Sequence, residues 1–360
     1  MRRATVLIVG GGPAGSAAAI GLARAGLAPL LIERDAETRD ALCGGFVSWA
    51  TLRRLAGLGV DPLTLGAHRI ERLALFSSRG SAEARLPAPA AALSRRTLDS
   101  ALLAQARATG AAVERGVGAR ALEEGRLRLD DGTEIAANHF ILATGKHELR
   151  GAARPRQGGD VAVGLRWRLG ASAALTRLLS GRIELHLFRG GYAGLVLQED
   201  GGANLCLAAR RSRLAEGEGR PERLLAALAE EAPMLAARLE VASSVGAPQA
   251  IANVPYGWRA LAAEPGCYRI GDQAGVIPSL AGEGIAIAVA SGLAAADAIT
   301  RGDPAERFQP GLARRLRLPL SIAGALWHLA EHPAGARALI AATRTLPPLA
   351  GLAARLTRVD

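Results

Sequence analysis

The chain has 360 residues, 49% of them hydrophobic, and 44 Lys+Arg against 33 Asp+Glu leave a formal net charge of +11. That is enough apolar material for a large core, and the length suits two domains or one elaborated α/β domain. The arginines are scattered without the interleaved aromatics of a nucleic-acid surface, which excludes nucleic acid; the charge reads as a solvated surface, with membrane association as the alternative.

Three cysteines, Cys43, Cys206 and Cys267, are odd in number and far apart, so neither a disulfide framework nor a zinc site is indicated, and a reducing cytoplasm fits best. No apolar run of spanning length escapes charge or glycine, so no transmembrane segment is expected. Lys146 is the only lysine among the basic residues. A lone ammonium surrounded by arginines is either a chance survivor at the surface or a compact, titrating charge kept for function.

The first stretch organises the rest. Thr5-Val6-Leu7-Ile8-Val9 is an apolar, β-branched run suited to a strand buried on both faces of a parallel sheet. Gly10, Gly12 and Gly15 follow at G-x-G-x-x-G spacing around Pro13 and Ala14, and a helix is predicted over 16–25. The glycines allow a tight turn, close approach of a pyrophosphate to the backbone, and close helix packing; the helix then offers free N–H groups to an anion. A second strand over 29–32 ends at Glu33, placed to accept hydrogen bonds from a ribose, with Arg34 beside it. A signal peptide could begin with the same basic and apolar residues, but it has no use for spaced glycines or for the acid.

Further on, Cys43-Gly44-Gly45 is either a backbone passing close to a flat ligand or a plain glycine turn with a buried thiol. A helix over 49–58 and strands over 70–77 and 82–86 come next, and Pro87 and Pro89 are expected to end that pattern. A helix opens near Arg95 and stops at Gly110, followed by strands over 112–117 (ending at Val117), 119–122, 126–129 and 133–135. The buried-type strand 140–145 carries Ala143-Thr144-Gly145, and its end should lie beside the first glycine turn. From 161 the pattern alternates, with strands over 163–169, 183–188, 192–198 and 203–209 that read as an antiparallel substrate-covering sheet. A helical pair interrupted by Pro233 and a strand over 249–254 complete it. A buried strand returns at 267–272 with Gly271-Asp272, then Pro278, Gly282-Glu283-Gly284 and a helix from Ile285 to 300, whose start offers N–H groups to a negative group. The remainder, 305–360, is helical and arginine-rich, with expected breaks at Pro319, Pro333 and Pro347-Pro348. It reads as a packed lid or as a peripheral membrane contact, since basic amphipathic helices serve both purposes.

Four of these segments, from Thr5 to about Thr300, occur in one known order. The G-x-G-x-x-G turn with Glu33, the Arg95-x-x-Leu98-Asp99 helix start, Ala143-Thr144-Gly145, and Gly271-Asp272 with Pro278 and Gly282-x-Gly284 resemble the flavoprotein superfamily of para-hydroxybenzoate hydroxylase, geranylgeranyl reductase and the flavin-dependent halogenases. The resemblance implies an α/β fold: a Rossmann-like, discontinuous FAD-binding domain (1–69, 90–160, 260–300), an inserted antiparallel-sheet substrate domain (70–89, 161–259) and a helical C-terminal segment (301–360). It also implies non-covalent FAD, with Glu33 on the adenosine ribose, Arg95 near pyrophosphate and ribityl, Asp272 on the ribityl hydroxyls and the amides of 282–284 facing the flavin ring. Cys43-Gly44-Gly45 resembles a ring-contacting segment of geranylgeranyl reductase. Tyr192 lies where that group has an aromatic substrate-facing motif, here without its tryptophan and proline.

The Asp-Gly element with which aromatic hydroxylases meet their nicotinamide donor is replaced around Thr144, Lys146 and Glu148, and no second glycine fingerprint marks a nicotinamide domain, so NAD(P)H is expected as a transient reductant. The paired-tryptophan motif of tryptophan halogenases is absent. The leading expectation is a monooxygenase of a lipophilic, phenolic or polyketide-derived molecule from secondary metabolism. A reductase of isoprenoid carbon–carbon double bonds is the alternative, and a non-catalytic flavin module the third. Cys43, Lys146 and Tyr192 are the catalytic candidates.

Overall fold

A computed structural model describes residues 2–155 and 158–359. Seven strands form the first sheet, in the order Ala112–Arg115, Leu30–Glu33, Arg2–Val9, Glu134–Leu142, Arg126–Leu129, Ala119–Glu123, with Cys267–Arg269 added to Glu134–Leu142. Arg2–Val9 lies parallel to both of its neighbours, with Leu7 paired to Leu30 on one side and to Phe140 on the other. Val6 to Val9 are buried, as expected for a strand covered on both faces.

The alanine- and glycine-rich helices Pro13–Arg24 and Gly284–Thr300 pack directly on each other. A methyl group on Gly292 would lie 2.3 Å from Ala14 O, so the two backbones nearly touch. This contact brings the segment after Cys267–Arg269 to the first glycine turn, although more than 250 residues separate them in sequence.

The second sheet has eight strands in the order Gln249–Val254, Ala162–Leu169, Ala203–Arg210, Gly191–Leu197, Arg182–Phe188, His68–Ser77, Gly80–Ala92, Phe46–Val47. It therefore reaches back to residues 46–47, within the stretch expected to belong to the nucleotide-binding unit. Its face alternates as a strand must: Tyr192, Gly194 and Val196 line a cavity, while Ala193, Leu195 and Leu197 enter a separate core under the helices of residues 173–241.

Three expectations are corrected. Pro87 and Pro89 do not end a strand, because Gly80–Ala92 is continuous. The register shifts between Ile70 and Arg72, which pair with Ala90 and Arg85, so both prolines occupy a bulge. Glu71 sends its N–H to Gly181 O at 2.9 Å instead, and no ladder donor is lost. The second sheet is not purely antiparallel, since Arg182–Phe188 runs parallel to His68–Ser77. Pro319 does not break a helix: Ala305–Ala330 runs through it and through Pro310, while Leu312, Leu316, Leu320, Ala323 and Trp327 pack inward. Tertiary burial of that stripe outweighs the local cost of proline. Pro333 and Pro347 instead begin new helices, Pro333–Thr345 and Pro347–Leu356, where the missing N–H is harmless.

Candidate active site

The two sheets share one cleft, and the glycine turn forms its floor. Gly10 has φ +109°, and a methyl group there would meet Ala143 O at 2.5 Å. A methyl group on Gly15 would lie 1.9 Å from Gly10 O, so the helix start presses against its own turn. At Gly12 the nearest atom to an added methyl is an Arg95 guanidinium nitrogen, 3.5 Å away, which leaves open space in front of an N-terminus with no acidic residue in its first turn. Glu33 closes the rim: its Oε2 accepts from Gly11 N–H at 2.6 Å and its Oε1 from Asp35 N–H at 3.0 Å.

Arg95 donates bidentately to Asp99 at 2.8 and 2.7 Å and faces the cleft. Burial opposes its charge, but the adjacent carboxylate prevails and raises the guanidinium pKa further. Lys146 reaches Asp272 at 3.1 Å, and both line the cleft. The Asp272 carboxylate raises the ammonium pKa against the effect of burial, so Lys146 is a fixed charge rather than a base. Gln273 holds the two loops together by donating to the carbonyls of Gly145 and His147, both at 3.0 Å, and Arg154 donates to Asp272 O at 2.9 Å. The position expected to face a visiting cofactor is thus also a strut for Asp272. Lys146→Met and Asp272→Asn should each weaken flavin binding roughly tenfold, and the double variant should be little worse than either single one. Additive losses in a flavin titration would show that the pair does not act as a unit.

The ring-side loop is held by a buried polar network that the sequence did not reveal. Arg166, almost fully buried, donates to Asn204 Oδ1 at 2.6 Å and to Asp40 O at 2.8 Å, and pairs with the Asp40 carboxylate. Asp40 also accepts from Arg95 N–H at 3.0 Å. Asn204 donates to Cys43 O at 2.8 Å, and the Cys206 thiol donates to the same carbonyl at 3.0 Å. Burial pushes the Cys206 pKa up to about 12, which keeps it a donor. The only warning in the sequence was a pair of arginines, Arg166 and Arg168, inside the otherwise apolar strand Ala162–Leu169.

Of the expected site residues, Gly12, Pro13, Ala14, Cys43, Gly44, Arg95, Ala143, Gly145, Lys146, Tyr192, Gly271, Asp272, Gly282, Gly284 and Ile285 meet around this cleft. Others stand behind it or at its edge. Arg34 is half-exposed and bonds His147, Val117 N–H extends the sheet edge to Glu33 O at 3.0 Å, and Thr144 Oγ donates to His147 O at 2.7 Å. Pro278 precedes the turn Ser279–Ala281. The Glu283 side chain is fully buried and paired with Arg358 from the C-terminal tail.

Beyond the cradle the cavity is lined by Ile183, Leu185, Val196, Leu207 and Val254. Its polar groups there include a hydroxyl cluster: Tyr192 donates to Ser279 Oγ at 2.8 Å, and Tyr256 bonds the same oxygen at 2.6 Å. Trp327 of the helix Ala305–Ala330 packs edge-on against both rings, at 5.9 and 5.6 Å, so the C-terminal segment closes this end. Tyr256, Ser279 and Trp327 carried no local signature and became visible only through their convergence.

Open space above Gly12, a bare helix N-terminus, the Glu33 carboxylate at the rim and the half-buried Arg95 guanidinium fit a dinucleotide with a pyrophosphate bridge. Residues 3–149 match a family model described as an FAD binding domain. A menaquinone reductase of Mycolicibacterium smegmatis is 28% identical over 323 residues, covering 83% of this chain and 77% of that protein. A menaquinone reductase of Mycobacterium tuberculosis is 33% identical over 153 residues, a match that spans only 38% of that protein's length. Among solved structures, the flavin-dependent brominase Bmp2 superposes with a TM-score of 0.81 at 18% identity, over 99% of this chain and 94% of that one. Pseudomonas aeruginosa PqsL in complex with 2-aminobenzoylacetate gives 0.73 at 18%, over 94% and 100%; likenesses at this identity show the fold. Residues 3–149 carry an FAD binding domain. The fold as a whole is shared with flavin-dependent proteins such as Bmp2 and PqsL.

Proposed function

We propose that the enzyme is a reductase that adds hydrogen across a carbon–carbon double bond of a neutral, lipophilic, isoprenoid-like substrate. The observation that carries this reading is the chemistry of the cavity beyond the cradle. Its charged lining residues, Arg95, Lys146 and Asp272, all belong to the cradle, while apolar walls and the Tyr192–Ser279–Tyr256 hydroxyls face the substrate space. Burial raises both tyrosine pKa values, so each phenol stays protonated near neutrality and is a proton source, not a base. FAD held by Arg95, Lys146 and Asp272 would, when reduced by a visiting NAD(P)H, supply hydride chemistry to the alkene. The apolar walls hold the alkene and exclude water, and a tyrosine Oη gives its proton to the other carbon, to be refilled through Ser279. The likeness to a menaquinone reductase along 83% of the chain supports a reductase.

A second reading, oxygen insertion into a lipophilic phenolic or polyketide-derived molecule, is favoured by the same water-poor walls. It lacks a base to activate a phenol, since no carboxylate or imidazole lines that part of the cavity among the described residues. One experiment separates the two. Holoenzyme is incubated with NAD(P)H, air and a panel of menaquinones and phenolic lipids, and the products are weighed. Gain of two hydrogens is the expected result, gain of one oxygen atom establishes the second reading, and an unchanged panel counts against both. The Tyr192→Phe/Tyr256→Phe double variant should slow product formation about a hundredfold while keeping FAD bound.

A further inference from the structure

We propose that the helix Pro347–Leu356 is a docking face for an anionic bilayer surface. None of its described residues is buried. Leu349, Leu352 and Leu356 follow at spacings of three and four residues, which places them in one stripe along the helix, and Leu346 is its N-cap residue. Leu346, Leu349, Leu352 and Leu356 are 55%, 45%, 50% and 42% exposed, so the stripe faces outward. Four leucines at this exposure form the kind of patch that marks an interaction site.

The stripe is not a loose lid awaiting closure, because the segment is held at both sides. The preceding helix Pro333–Thr345 buries Ala336 and Ile340, and Arg344 donates to Ser81 O at 2.6 Å. After the helix, Thr357 and Val359 are buried, and Arg358 turns inward to pair with Glu283 and lie over the Trp49 ring at 4.2 Å. Burial lowers the Arg358 pKa to about 10. The leucines are therefore presented to the outside by a fixed support.

Charge selects the occupant. Residues 332–359 contain four arginines and no Asp or Glu. Arg358 is engaged inward, while Arg355 on the helix of the stripe and Arg337 and Arg344 on the helix before it are exposed. Two copies meeting through this face would bring like charges together, which disfavours a homodimer. An anionic membrane instead accepts leucines at the acyl boundary while guanidinium groups reach lipid phosphates. Trp327 of the helix Ala305–Ala330, which covers the hydroxyl end of the cavity, packs in one core with Ala336 and Ile340 of the helix that precedes the stripe. The inference does not depend on which reaction the flavin performs.

The test is flotation of the yellow holoenzyme with vesicles of phosphatidylglycerol in phosphatidylcholine, or of phosphatidylcholine alone. Expected are binding to the anionic vesicles, little to the neutral ones, and release by raised salt. Leu349→Glu/Leu352→Glu replaces exposed side chains, so it should keep its flavin spectrum while binding weakens roughly tenfold or more. Arg337→Glu/Arg355→Glu should lose the salt-sensitive part. Wild type that ignores anionic vesicles, leucine variants that bind normally, or a solution dimer that those variants dissociate would each overturn the proposal.

Discussion

Gly12→Val is expected to give a folded, colourless protein, whereas Gly15→Ala should lose stability as well as colour. Both residues belong to one turn, but their surroundings differ. The space in front of Gly12 is open apart from the Arg95 guanidinium, so a side chain fits the apoprotein and fills only the place a pyrophosphate would take. FAD affinity should fall by at least about a hundredfold, roughly 3 kcal/mol. At Gly15 a methyl group would stand 1.9 Å from Gly10 O and 3.1 Å from Ile8 Cγ2, so helix and turn must separate, at about 1–3 kcal/mol or more. Thermal unfolding of the apoproteins with flavin absorbance of the purified forms reads both effects. A yellow Gly12→Val would mean that the pyrophosphate does not lie over this turn, and an undisturbed Gly15→Ala would contradict the packing.

Arg166→Met should be the most damaging single change in the second sheet. Arg166 is 2% exposed and holds Asp40 and Asn204 together beneath the Cys43–Gly45 loop. Removing one partner of such a pair leaves the other uncompensated, a loss on the order of 3–5 kcal/mol. The loop beside the ring position should then loosen and flavin should bind more weakly. Adding Asp40→Asn to Arg166→Met removes the orphaned charge and should return part of the stability, although the loop stays unanchored. Denaturant unfolding of the two single variants and the double one measures this. If Asp40→Asn in the Arg166→Met background deepened the loss, the charge of Asp40 would have to be satisfied by some other group.

The parts of this molecule that could be read from sequence are those whose physics is local. The strand, turn, helix, strand and acid of residues 5–33 lie within one short stretch, and each glycine's task follows from its spacing. Gly271-Asp272 and Gly282–Gly284 could be placed because their order along the chain resembles a known family. Arg166 could not be assigned, because Asp40 and Asn204 lie 126 and 38 residues away from it and no periodicity links them. The hydroxyl cluster was hidden for the same reason: Tyr192 attracted notice, but Tyr256 and Ser279 look ordinary until the fold brings them together. The prolines misled in a different way. Local propensity predicts a break at Pro87, Pro89 and Pro319, yet a bulge absorbs the first two and a buried leucine stripe carries the helix through the third.

The interleaving of the two sheets also sets the order in which the chain can assemble. Glu134–Leu142 waits for Cys267–Arg269, which is synthesised only after the strands of the second sheet, and His68–Ser77 waits for Arg182–Phe188. Each closure spans more than 100 residues, so its entropy must be met before the pairing yields any return. The first sheet cannot be completed on the ribosome until every strand of the second has been synthesised. The nucleotide cradle and the cavity that covers it are therefore born together, and a partly synthesised chain exposes unpaired strand edges that make it a natural client of chaperones.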